Sequence, residues 1–114
     1  MVKPTITISV NSGDVISATP TFTITIDSPD RVTEVTEITV ILGNNTIYHE
    51  ANLHIINQTI QASELIELKP GKYDLQVKVV YGNNQVAIQE ITGLRVKLIG
   101  AVEVTKAEVT PSTT

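Results

Sequence analysis

The chain has 114 residues, enough for one ordinary domain and too few for two. Its 41% hydrophobic and 18% charged residues are the makings of a self-contained core rather than a disordered chain. Lys+Arg number 8 against 12 Asp+Glu, a net charge of −4 that excludes a basic nucleic-acid footprint, and with no cysteine there are no disulfides, thiolate metal sites or cysteine nucleophiles.

The chain order opens on Met1-Val2-Lys3-Pro4, which is not followed by an apolar signal-peptide core, and no stretch reaches the roughly 18 apolar residues of a membrane span. Met1 is compatible with a segment cut from a longer protein. Residues 5–10, TITISV, alternate polar and apolar without a slip, and Asn11-Ser12-Gly13-Asp14 closes them as a turn. Residues 21–27, TFTITID, repeat the pattern up to Ser28-Pro29-Asp30. A period of two places one face on a core and one in water, as in antiparallel sheets, and the outward positions are largely threonine. Residues 37–42 predict a third strand with Ile38, Val40 and Leu42 on one face, and Ile41 implies that the other face is partly covered.

Gly43-Asn44-Asn45 then predicts a tight hairpin into Thr46-Ile47-Tyr48-His49-Glu50. Residues 53–60 are expected to be a strand or two short pieces, and residues 62–66 have room for one helical turn. Residues 72–81 give the strongest strand pattern, with Tyr73, Leu75, Val77, Val79 and Tyr81 on one face. Gly82-Asn83-Asn84 turns the chain into Val86 and Ile88, Thr92-Gly93 predicts a bulge, and Leu94, Val96 and Leu98 resume the alternation. Beyond residue 100, Val102 and Val104 still alternate, and residues 110–114, TPSTT, read as a linker or tail. The expected organisation is one domain over residues 1–100 and an extra strand with a Thr/Ser/Pro-rich tail over 101–114. Seven to eight strands with turns every 8–12 residues suit a β-sandwich.

One run is more specific. Leu68-Lys69-Pro70-Gly71-Lys72-Tyr73-Asp74-Leu75-Gln76-Val77 resembles the corner before the sixth core strand of immunoglobulin-like and fibronectin type III-like domains, L-x-P-G-x-Y-x-L-x-V. Leu68, Pro70, Gly71 and Tyr73 are the corner residues of that pattern, and Pro20-Thr21-Phe22-Thr23-Ile24 resembles an early strand of such domains in bacterial and archaeal surface proteins. The resemblance implies an all-β, immunoglobulin-like sandwich of antiparallel strands. It also implies that the Tyr73 hydroxyl bonds to the main chain of the connection, with the ring buried. The two cysteines and the tryptophan of antibody-type domains are missing, so the likeness is to the disulfide-free spacer, stalk and adhesive modules.

Chemistry-bearing residues are few. His49 and His54, five apart, converge only through a turn at Ala51-Asn52, and two surface histidines near a hairpin are the simpler reading. Asp27, Asp30, Glu34 and Glu37 crowd one connection in the manner of a calcium loop, but without D-x-[DN]-x-[DN]-G spacing and with Arg31 among them; solvated loop charges are the better account. There is no G-x-S-x-G, no phosphate loop and no helix terminus for an anion, so no catalysis, cofactor or resident metal is expected. Asn44 and Asn57 head N-x-T sequons at expected loops and are the glycosylation candidates. Of the four aromatics, Tyr48 alone is expected to be exposed.

Two functions follow as expectations. The first is a non-catalytic structural or adhesive module of a microbial cell-surface or secreted protein, with neighbouring domains or subunits as partners. In it, either residues 5–10 form the first strand of their own sandwich while 101–109 lead into the next domain, or one of these two segments pairs with a neighbouring subunit in a filament. The second is an accessory module of a secreted polysaccharide-degrading enzyme, either a spacer or a carbohydrate binder using Asn44, Asn45, Tyr48, His49 and His54. Both are extracellular, and neither involves nucleic acid or membrane insertion.

Overall fold

A computed structural model describes residues 1–97. The expected boundary near residue 100, Leu98, the alternating segment 101–109 and the tail 110–114 lie outside the described residues. Among those described there are eight strands and no helix: β1 (Thr5–Ile8), β2 (Val15–Ile16), β3 (Thr21–Asp27), β4 (Val35–Leu42), β5 (Asn45–Glu50), β6 (Asn57–Ser63), β7 (Gly71–Tyr81) and β8 (Gln85–Val96). They form two sheets, ordered β1-β3-β6 and β2-β8-β7-β4-β5.

The period-two segments bury what their alternation predicts. Phe22, Ile24 and Ile26 of β3, Ile38, Val40 and Leu42 of β4, and Leu75, Val77 and Val79 of β7 are all at most 1% exposed and belong to one apolar cluster. That cluster draws on both sheets, which makes the fold all-β and sandwich-like. On the opposite face of the smaller sheet the threonines pair across strands: the Thr25 and Thr59 hydroxyls lie 3.1 Å apart, and those of Thr21 and Ser63 lie 2.8 Å apart. β-Branched hydroxyl residues thus satisfy the pleat while keeping the outer face polar.

The β7–β8 hairpin keeps register from Tyr81↔Gln85 to Leu75↔Ile91, then slips. The slip is at Thr92-Gly93, where Gly93 has φ 69° and its N–H donates to the Asp74 carboxylate at 3.0 Å. This is the bulge that the Thr92-Gly93 pair predicts, and it returns Leu94 and Val96 to the buried face.

The structure differs from expectation in several places. β2 has two residues, too few to show a period, and it runs parallel to β8 (Val15↔Arg95, Ile16↔Val96), so the strands are not uniformly antiparallel. The strand expected over 53–60 starts later: Ile55 makes only an isolated bridge to Val35, and β6 carries on to Ser63. There is no helical turn at 62–66, because Ala62 pairs with Phe22 and is 1% exposed, while Leu65 and Ile66 are 85% and 77% exposed. Asn57 opens β6 rather than sitting in a loop. Tyr73 is half-buried, not buried.

Candidate functional site

Three connections meet at one pole: residues 28–34, 51–56 and 82–84. The Gly82 N–H donates to the Glu34 carbonyl at 3.0 Å, and Val35 exchanges hydrogen bonds with Ile55 at 2.8 and 3.2 Å. Each connection holds one non-glycine residue of positive φ: Arg31 at 63°, Asn52 at 58° and Asn84 at 59°. Asparagine visits this region readily, whereas arginine needs its surroundings to hold it there. The Arg31 N–H donates to the Ser28 carbonyl at 3.1 Å, and the buried Ser28 hydroxyl donates to the Thr33 carbonyl. Asp30 completes the loop by accepting from the Thr33 hydroxyl and from the Val32 and Thr33 N–H groups at 3.1 and 2.9 Å. These donors, the Thr33 hydroxyl first, hold the Asp30 carboxyl below its ordinary value of 3.8.

The four acids of this region are separated, each with its own partner. Asp27 accepts from Arg31 Nη1 at 3.2 Å and from Asn57 Nδ2 at 2.8 Å. Glu34 lies 3.2 Å from His54 Nδ1, and Glu37 lies 2.7 Å from His49 Nε2. The histidine pairs have local causes. Glu34 and His54 flank the Val35–Ile55 bridge, while His49 stands opposite Thr39, on the same face as Glu37 two residues away. Among the described residues no group of three or more His, Cys, Asp or Glu side chains is placed to hold a metal ion.

The residues expected to form a carbohydrate edge are strung along β5. Asn44 and Asn45 sit at its start, His49 is near its end on the outer face, and His54 is at the opposite pole. Six residues at about 3.3 Å each hold the two ends apart. Tyr48 is half-buried rather than exposed, because it stands opposite Val40 on the core face of an edge strand. Its hydroxyl donates to Glu50 at 2.6 Å, two residues along the same face. That bond, helped by partial burial, pushes the phenol from 10.0 up to about 12.

One residue with a claim to function is not among the candidates read from the sequence. Glu64 follows Ile60 and Ala62 on the inward parity of β6 and is 7% exposed. Its Oε2 accepts from the Ile66 N–H at 3.1 Å, and its Oε1 has no hydrogen-bond partner. It lines an open groove of about 470 Å³ with Asn44, Asn45, Ser63, Leu65 and Ile66. An acid at a core-parity position is the available signal, and a strand expected to end at Ile60 rather than at Ser63 hides it.

At the same pole as that groove, the Tyr73 hydroxyl donates to the Lys69 carbonyl at 2.6 Å and the ring lies against Gly43. Fold and site together define a sandwich-like all-β domain in which Glu34 and Glu37 are engaged by His54 and His49, and Asp27 and Asp30 by other neighbours. No family model, curated protein or solved structure matches the chain.

Proposed function

We propose that the chain is a non-catalytic, immunoglobulin-like structural module of a microbial cell-surface or secreted protein. The strand order supports the immunoglobulin-like reading: the first, third and sixth strands share a sheet, and the second crosses to pair in parallel with the last. The Tyr73–Lys69 bond at the Leu68-Lys69-Pro70-Gly71 corner supports it as well. A cysteine-free, threonine-faced chain with a TPSTT end suits an exposed spacer or adhesive unit.

The observation that carries the structural role is the path of the chain. Met1 packs against Gly82, just past one end of β7, while Val96 pairs with Gly71 at the other end. The 11 residues of β7 set those points roughly 35 Å apart. Tension along that axis shears the parallel β2–β8 pair and the bonds beside it, Gly13 N–H to Thr92 carbonyl and Arg95 N–H to Asp14 carbonyl. Sheared bonds must break together. Single-molecule pulling tests this, first between handles at the chain ends and then between handles at Asn44 and Glu67, where strands peel one bond at a time. A load-bearing module ruptures at clearly higher force from its ends, and equal forces in the two geometries would count against the role.

The second reading, a carbohydrate-binding accessory module, is favoured by the groove at Asn44, Asn45, Ser63 and Glu64, whose unpaired carboxylate oxygen suits a sugar hydroxyl. Affinity electrophoresis in soluble polysaccharides checks it. Retardation that is lost in Glu64→Gln would support it, and free migration in every polysaccharide would remove it.

A further inference from the structure

Among the described residues the edge of β8 is open over most of its length and presents exposed apolar side chains. β2 covers only Arg95 and Val96, and the Ser12-Gly13 segment covers Thr92, leaving the stretch from Gln85 to Ile91 paired to β7 on one side alone. Its polarity can be read from Thr92, whose N–H donates to Ser12 Oγ at 3.0 Å and whose carbonyl accepts from Gly13 N–H at 3.0 Å, both away from β7. The register between Gln85 and Ile91 is unbroken, and backbone groups alternate sides along a strand. Val86, Ile88 and Glu90 therefore each point an N–H and a C=O outward. The side chains of Val86 and Ile88 stand on the outer face of the sheet, 51% and 52% exposed.

The other edges differ in character. Pro4 precedes the four residues of β1, β5 is bulged with Ile47 left out of register, and the exposed positions of β6 are polar. Such devices are how sheets avoid edge-to-edge pairing; between Val86 and Glu90 there is no proline and no bulge, and Glu90 is the one charge.

We infer that this edge pairs with the same edge of a second copy of the chain, antiparallel, about a two-fold axis at Ile88. In that register Ile88 faces Ile88 of the second copy and Val86 faces Glu90 in both directions. All three N–H and three C=O groups of each copy are then engaged, in six hydrogen bonds. Moving the axis to Glu90 sets two carboxylates directly opposite and runs into the Ser12-Gly13 segment. Moving it to Val86 spends the edge on the turn residues Gly82 and Asn84. Like charges opposite one another disfavour the first, and lost hydrogen bonds disfavour the second. The edge is thus complementary to itself, and the register centred on Ile88 engages more of its hydrogen-bonding groups than an axis at Ala87 or Gln89, each of which pairs four bonds within the open stretch.

An interface of one strand per copy falls short of the roughly 1,200 Å² typical of a stable complex, so the dimer is weak and concentration-dependent. It also stands apart from the structural role proposed above, because a monomer with an open edge would leave the pulling experiment unaffected. The test is sedimentation equilibrium of the full chain over a wide concentration range, with amide exchange followed by NMR. Expected are a reversible monomer–dimer equilibrium and slowing of the Val86, Ile88 and Glu90 amides as concentration rises. Ile88→Lys, at a half-exposed position that tolerates lysine, should weaken the dimer about tenfold or more, while Ile88→Val should preserve it. Three results would overturn the inference: a monomer at every concentration, a dimer indifferent to Ile88→Lys, or edge amides equally slow at all concentrations, which would mean that the edge is covered from within the same chain.

Discussion

At the scale of single residues, burial and partnership decide what each side chain contributes. Leu75 is 0% exposed at the centre of β7, so Leu75→Ala removes apolar contacts and leaves a cavity; the expected loss is about 2–5 kcal/mol by denaturant unfolding. A loss under about 1 kcal/mol would contradict its place in the core. Tyr48 shows the opposite regime, a half-exposed group whose value lies in one bond. The Glu50 carboxylate favours the neutral phenol, so the folded-state pKa is raised above the unfolded one. The stabilisation linked to it is therefore complete below pH 10.0 and is lost as the pH climbs through about 12. Phenolate absorbance should show one tyrosine titrating at about 12 in the folded chain, and Glu50→Gln should bring it down. No change in Glu50→Gln would mean that the bond is not the cause.

Elements add constraints that single residues do not carry. In β8 the strand is long enough to meet both β7 and β2 only because the bulge at Thr92-Gly93 re-aims it. Gly93 sits at φ 69°, where a Cβ is unfavourable, and such a Cβ would make no clash, the Gly13 backbone nitrogen lying 4.0 Å from it. Gly93→Ala should therefore cost about 1 kcal/mol through backbone conformation alone, measured by chemical unfolding. Asp74→Ala should also destabilise, by removing the carboxylate that caps the Gly93 N–H, and a neutral result for both would mean that the bulge is not held locally. The bulge was legible because Gly interrupts an otherwise strict alternation. β3, β4 and β7 were legible for the related reason that each is buried on one face and wet on the other. β2 was not, since two residues carry no period and their partner lies 80 positions away. β6 was misplaced because Leu53, Ile55 and Ile56 look more like a strand than NQTIQAS does, although only Ile60 and Ala62 of that strand are fully buried. The site was legible only in its ingredients. Pairings such as His49 with Glu37 and His54 with Glu34 depend on register between strands, and the unpaired Glu64 depends on where β6 ends.

For the whole molecule, the sheets are not equally deep. β3 lies between β1 and β6, and β4 and β7 are interior to the larger sheet, so their amides are bonded on both sides and their inward residues form the cluster that joins the sheets. β2 is two residues long, β1 four, and β5 is an edge with a bulge. Amides of the inner strands should exchange only when the whole core opens, whereas those of β1, β2 and β5 need only a local fluctuation. Native-state hydrogen exchange should therefore place β3, β4 and β7 in one slowest class at the global unfolding free energy, with the edge strands below it. Combining this with Leu75→Ala sharpens the prediction. The slowest class should fall by the full cost of the substitution, because its opening is global, while β5 amides, which exchange by fraying, should hardly move. If β5 fell in step with β7, the sandwich would open only as a single unit. If β3 kept its protection while β7 lost it, the two sheets would be separate cooperative units, and the shared cluster would not be what couples them.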